Sequence, residues 1–229
     1  MQSLVEQAQR AIQASDFARA AAVLGQLVER TPRDHGAWYW LAFAQVHRGL
    51  ADLALPAIQT ALRLDRRNPE YHNLLGVVIA ETGDYEGAMQ SFHRALKFRP
   101  FLTNAHFNLG KMLNRLERFD ESLEAYGMAR KLEPQRTDAW DDLAETYWRA
   151  GRVAEAQREY AAFAAAHPGN PDAARGVART ALGTQGAART AELYDAAVSR
   201  FPDDALLRWD RARVRLGRGD FAKGWADYL

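Results

Sequence analysis

The sequence predicts an all-α fold made of about seven helix pairs in a linear array. Three observations carry that prediction. The first is a fixed period of 34. Prolines stand at Pro32, Pro100, Pro134, Pro168 and Pro202, and Arg66 fills the one gap in the series. The second is a set of size-matched columns that stay in phase without insertion. Ala8, Ala42, Gly76, Gly110, Ala144, Ala178 and Ala212 are all small, as are Ala20, Ala54, Ala88, Ser122, Ala156, Thr190 and Gly224. Leu24, Ile58, Phe92, Tyr126, Tyr160, Tyr194 and Tyr228 are all large. The third is apolar spacing of three and four residues within each period, as in His106, Leu109, Gly110 and Leu113. That spacing builds one face of an amphipathic helix. A repeat length of this size marks a stacked array.

Taken in order, the repeats span 1–34, 35–68, 69–102, 103–136, 137–170, 171–204 and 205–229. Each predicts two antiparallel helices. The first helices fall near 2–14, 35–48, 69–82, 103–116, 137–150, 171–183 and 205–216. The second helices fall near 18–31, 51–64, 85–98, 119–132, 153–167, 187–200 and 220–229. Turn signals such as Gly83-Asp84, Gly151 and Gly219-Asp220 separate them. Small residues at positions 8 and 20 let the two axes approach, and the large residue at position 24 fills the space toward the neighbouring helix. Proline near the end of each repeat stops the second helix, because it lacks an N–H and clashes with the preceding turn. Gly176, Gly183 and Gly186 lie in or beside the sixth first helix, which predicts a local bend there.

Composition removes several functions. The chain has 229 residues, enough for a core without staples, and no cysteine. It therefore has no disulfide framework, thiolate metal site or cysteine nucleophile. Thirty basic residues against 29 acidic ones give a net charge of +1, which attracts neither nucleic acid nor an anionic membrane. No apolar run approaches the ~20 residues a membrane helix needs, and the start MQSLVEQAQR is unlike a secretory signal. The expected setting is the cytoplasm.

The columns resemble the tetratricopeptide repeat, W-x2-L-G…A-x3-F…P. NLLGVVIAETGDYEGAMQSFHRALKFRP and HFNLGKMLNRLERFDESLEAYGMARKLEP carry the pattern best. Trp38, Leu41 and Ala42 carry it in the second repeat, and Trp140, Leu143 and Ala144 in the fifth. The first, sixth and seventh repeats match less closely. Together these readings predict a right-handed α-solenoid that binds an extended protein or peptide segment in its concave groove.

In a solenoid of helix pairs the first helices line that groove. Positions 4, 7, 8 and 11 pack inward, so positions 2, 5, 6, 9, 12 and 13 are expected to face the groove. The first repeat shows Gln2, Val5, Glu6, Gln9 and Gln13 there, a bland set. The second shows Tyr39, Trp40 and Phe43, rigid amphipathic side chains of the kind that anchor interfaces. Tyr39 and Phe43 can equally be read as packing against the preceding repeat. The third and fourth show Asn73, Asn104, Phe107, Asn108, Lys111, Asn114 and Arg115. An asparagine amide carries donors and an acceptor, so it can pair with a peptide backbone whatever its sequence. The asparagine ladder of O-GlcNAc transferases is similar; Asn108 matches it, whereas Asn73 stands one place before the matching Leu74. The fifth repeat is acidic, with Asp138, Asp141, Asp142 and Glu145, and Arg175 and Arg179 follow in the sixth. Pairing between those charges across the stack is the expected arrangement. Chaperone-binding members of the family use a carboxylate clamp of Lys, Asn and Arg. Asp138 and Asp142 stand where its Lys and Arg belong, so that clamp is absent.

Catalytic and metal signatures are missing. His35, His47, His72, His93, His106 and His167 form no H-x3-H or H-E-x2-H pair. His72 and His106 occupy the tryptophan column and read as packing residues. The chain is thus expected to be no enzyme and to need no cofactor. Its last helix is short and leaves Trp225 and Tyr228 partly bare, which suggests an unfinished seventh repeat. The segment GDFAKGWADY resembles one that precedes catalytic domains in bacterial repeat glycosyltransferases. Two alternatives follow: a substrate-recruiting arm for a C-terminal catalytic domain, and self-association through the open end.

Overall fold

The structure, a computed structural model, describes residues 3–228. Its helices pack as two compact units, Met1–Leu116 and Glu117–Leu229, here the N-terminal and C-terminal halves. The N-terminal half holds α1 (Leu4–Gln13), α2 (Phe17–Arg30), α3 (His35–His47), α4 (Ala51–Leu64), α5 (Pro69–Glu81), α6 (Tyr85–Phe98) and α7 (Thr103–Arg115). The C-terminal half holds α8 (Phe119–Leu132), α9 (Thr137–Arg149), α10 (Val153–Ala166), α11 (Pro171–Arg200), α12 (Ala205–Gly217) and α13 (Phe221–Tyr228). Among the described residues every regular element is an α-helix. Gln2, expected in the groove, lies outside them.

Two columns explain why the repeats hold their shape. One is the turn. Ser15, Gly49, Gly83, Glu117, Gly151 and Gly219 all have positive φ, between 55° and 87°. Their spacing is 34 residues, apart from one doubled step. The missing member is Gln185, and the positive φ moves one residue later, to Gly186 at φ 81° and ψ 170°. The usual turn therefore collapses to a single glycine, and α11 runs through it with a break. The expected bend is present, but only Gly186 makes it. Gly176 stays helical, and its lack of a Cβ makes room for the Tyr160 ring.

The other column is position 4. Trp38 Nε1 donates to the Pro32 carbonyl at 3.0 Å, and Trp140 Nε1 to the Pro134 carbonyl at 2.9 Å. His72 Nε2 and His106 Nε2 donate likewise to the Arg66 and Pro100 carbonyls, at 2.9 and 2.8 Å. Either ring supplies an N–H that pins the preceding turn, which is why histidine can replace tryptophan there. In the third repeat the small residue at position 8 meets the large one at position 24. A Cβ on Gly76 would overlap the Phe92 ring. Ala42, Ala54, Ile58, Ala88 and Phe92 are almost fully buried, so this seam is the core.

Candidate functional site

The ten residues read from the sequence as groove contacts all lie in the N-terminal half, on α3, α5 and α7. The structure separates them into three groups.

The first is aromatic. Trp40 packs edge-on against Tyr39 at 5.1 Å and Phe43 at 5.3 Å between ring centroids. Tyr39 also stacks on Tyr71 of α5 at 5.0 Å, and Phe43 meets Phe17 of α2 at 6.2 Å. Tyr71 in turn hydrogen-bonds through its hydroxyl to His35 Nδ1 at 2.6 Å. Tyr39 and Phe43 are therefore half-buried struts that brace α3 against its neighbours. Burial, with the Glu70 carboxylate next in weight, pushes the Tyr39 phenol up to about 12, so it stays a neutral donor. Trp40 differs: it is 41% exposed. It closes one side of an open cleft of about 510 Å³ between α1 and α3, floored by α2. Val5, Ile12, Leu24, Leu27 and Ala37 give that cleft apolar walls, and Gln9 and Gln13 line it with amides. The sequence reading passed over Val5 as part of a bland surface. A valine on the outward face of an otherwise polar helix was the available signal.

The second group is the amides. Asn108 Nδ2 donates to Asn73 Oδ1 at 3.1 Å, although Asn73 lies one place off the family register. Position 5 of one first helix and position 6 of the next meet across the α5–α7 contact. The pair uses one end of each amide and leaves the Asn73 amino group and the Asn108 carbonyl available. Both residues are half-exposed, and Asn104 is exposed.

The third group corrects the expectation. Phe107 is 7% exposed and Asn114 8%, so neither is an open contact. Positions 5 and 12 lie two turns apart on one flank of the helix, the flank by which Tyr39 meets Tyr71, and they pack sideways. Lys111 remains exposed, with its ammonium 6.0 Å from the Phe107 ring centre. Arg115 is exposed too, but it folds back on Tyr85 of α6 and donates to its hydroxyl at 3.3 Å.

The C-terminal half is charged where the N-terminal half is aromatic. Its position-24 residues are tyrosines, and each hydroxyl meets carboxylates. Tyr126 hydrogen-bonds to Asp142, and the Asp210 carboxylate stands near Tyr194. Tyr160 faces Gly176 where a carboxylate would stand. Its hydroxyl lies 3.4 Å from Glu145 Oε2 and accepts from Arg179 Nη2 at 2.7 Å. Burial first, and then Asp142 for Tyr126, Asp141 ahead of Glu145 for Tyr160 and Asp210 for Tyr194, raise all three phenols well above their ordinary range. Arg179 also pairs with Glu145, one repeat away, so that expected charge pair across the stack is present. Arg175 instead pairs within its own repeat, with Asp172. Burial, and Asp172 next, hold the Asp141 carboxyl above the usual range.

Among the described residues no group of three histidines and carboxylates is placed to hold a metal ion, and no helix is long and apolar enough to cross a membrane.

Comparisons with known proteins agree with the fold. Tetratricopeptide repeat family models match residues 11–77 and 137–180. No curated protein matches the sequence. Solved structures match at the level of the fold. A tetratricopeptide repeat protein from Parabacteroides merdae is 17% identical, with TM-score 0.76 over 98% of this chain and 89% of its own. PilW, described as a widely conserved type IV pilus biogenesis factor, is 19% identical, with TM-score 0.79 over 90% of this chain and 95% of its own. YrrB, described as a TPR protein with an unusual peptide-binding site, is 23% identical, with TM-score 0.64 over 82% of this chain and 97% of its own. Period, pinned turns, helix pairs and matched segments converge: this is an all-α chain built of tetratricopeptide repeats.

Proposed function

We propose that the protein is an interaction scaffold whose N-terminal half binds an extended peptide segment along α1, α3, α5 and α7. One observation carries the reading. An exposed tryptophan beside an apolar cleft lies on the same run of first helices as a half-exposed amide pair. The cleft offers burial for an apolar side chain. The Asn73 amino group and Asn108 carbonyl offer a donor and an acceptor to a peptide backbone, so binding would tolerate varied sequences. The unusual peptide-binding site ascribed to YrrB is in keeping with such a use of the fold. The reading assigns no catalytic residue and no cofactor.

The test is a selection of extended peptides from a random 12-residue library on the full chain, followed by titration of the selected peptides. Trp40→Ala with Asn108→Ala is expected to weaken binding about tenfold or more, because central aromatic contacts dominate interface energies. Unchanged affinity in that double variant would refute the assignment.

A further inference from the structure

We propose that the C-terminal half holds a second docking site, for an acidic peptide segment anchored by one bulky apolar side chain. The site is a cleft of about 430 Å³ bounded by α9, α11 and α12. Its size falls within the ~300–1,000 Å³ common among pockets that hold ligands. Beside it α11 continues past the point where other repeats turn, before breaking at Gly186. Leu182, in the last turn before that extension, lines the cleft and is 51% exposed. Trp148, Leu182, Tyr194 and Val214 give the cleft its apolar lining.

Arginines mark out the polar part of the same cleft. Arg179, Arg213 and Arg218 line it, with Asp210 as the one lining acid. Glu145 pairs with Arg179, and Asp210 lies 3.7 Å from Arg213. The lining itself thus carries three arginines and one acid, while Glu145 and Asp141 act on Arg179 from outside it. Arg218 makes no ion pair among the described residues. Arg213 is largely exposed and stands 4.7 Å from the Trp209 ring centre, so its guanidinium is held in place while open to solvent. The Arg179 Nε–H is buried with no partner. Apolar walls under surplus guanidinium groups complement a side chain such as Leu or Phe flanked by Asp or Glu.

The proposal stands independently of the reading for α1–α7, and different variants test each. The same library is selected on the full chain, on Arg213→Glu with Arg218→Glu, on Leu182→Asp and on Trp40→Ala. All four side chains are exposed, so the variants should fold, which circular dichroism checks. The expected yield is a peptide class with acidic residues around one large apolar residue. Its affinity should fall about tenfold in the arginine variant and in Leu182→Asp, drop further with salt, and stay unchanged in Trp40→Ala. Three results would overturn the proposal. They are no acidic class, an acidic class that binds the arginine variant equally well, and occupation of the cleft by a second copy of the chain, seen as a dimer that the arginine variant dissociates.

Discussion

The two halves solve the same packing problem with different chemistry. At position 24 the N-terminal half uses Leu24, Ile58 and Phe92, which need only volume. The C-terminal half uses Tyr126, Tyr160 and Tyr194, which also need an acceptor for a buried hydroxyl. That one atom reorganises the surface above it. Asp142 and Glu145 accept from phenols, Asp210 stands near a third, and Arg179 answers the resulting charge. In the N-terminal half the corresponding helices present Trp40 and an asparagine pair, with no charge demanded from below. A charged groove residue can therefore belong to the core, whereas an exposed aromatic one has no such duty. The acidic fifth repeat is a clear case: much of its charge is committed inside the protein.

The sharpest way to break the comparison is at the glycines. Gly76→Ala and Gly176→Ala should each lose about 1–3 kcal/mol of stability, because the new Cβ overlaps the Phe92 or Tyr160 ring. Gly127→Ala in α8 has open space and should gain up to about 1 kcal/mol. Denaturant midpoints check all three. Equal effects at all three sites would show that ring contact does not set the cost.

Alkaline titration gives the next largest effect, and it is weighted toward the C-terminal half, with Tyr39 and Tyr71 contributing in the other. The buried phenols have raised pKa values, so above pH ~10 the unfolded chain releases protons that the folded chain keeps. Stability then falls as pH rises, by up to ~1.4 kcal/mol per pH unit for each tyrosine. Replacing Tyr126, Tyr160 and Tyr194 together by Phe should reduce that slope, leaving the share of Tyr39 and Tyr71. A slope unchanged in the triple variant would mean the phenols are not what titrates.

Smaller still is Tyr126→Phe alone. It removes the hydroxyl partner of Asp142 and should cost about 1 kcal/mol at neutral pH. Trp40→Ala sharpens the other half. Its exposure limits the stability loss to about 1 kcal/mol or less, while peptide binding should fall far more. A thermal melt beside a peptide titration separates the two.

Helix positions were readable from the sequence almost to the residue. Proline, turn and size columns act within one repeat, where local rules apply. Relations between repeats were harder to read. Phe107 and Asn114 looked open because helical periodicity alone does not say which flank meets the neighbouring helix. Asn73 looked misplaced beside Asn108 because register between adjacent helices depends on their offset. The Gly186 break was foreseen only as a bend, since its cause is a one-residue slip in a column of positive φ. The tyrosine–carboxylate pairs needed coordinates, as their partners lie about half a repeat apart in sequence.

The central claim is that the two halves offer chemically different surfaces. Hydrogen exchange of the full chain, with each selected peptide class in turn, tests it most directly. Peptides that lose affinity in Trp40→Ala should protect α1, α3, α5 and α7. Acidic peptides should protect α9, α11 and α12. Protection of the same helices by both classes, or of the second helices alone, would contradict the account.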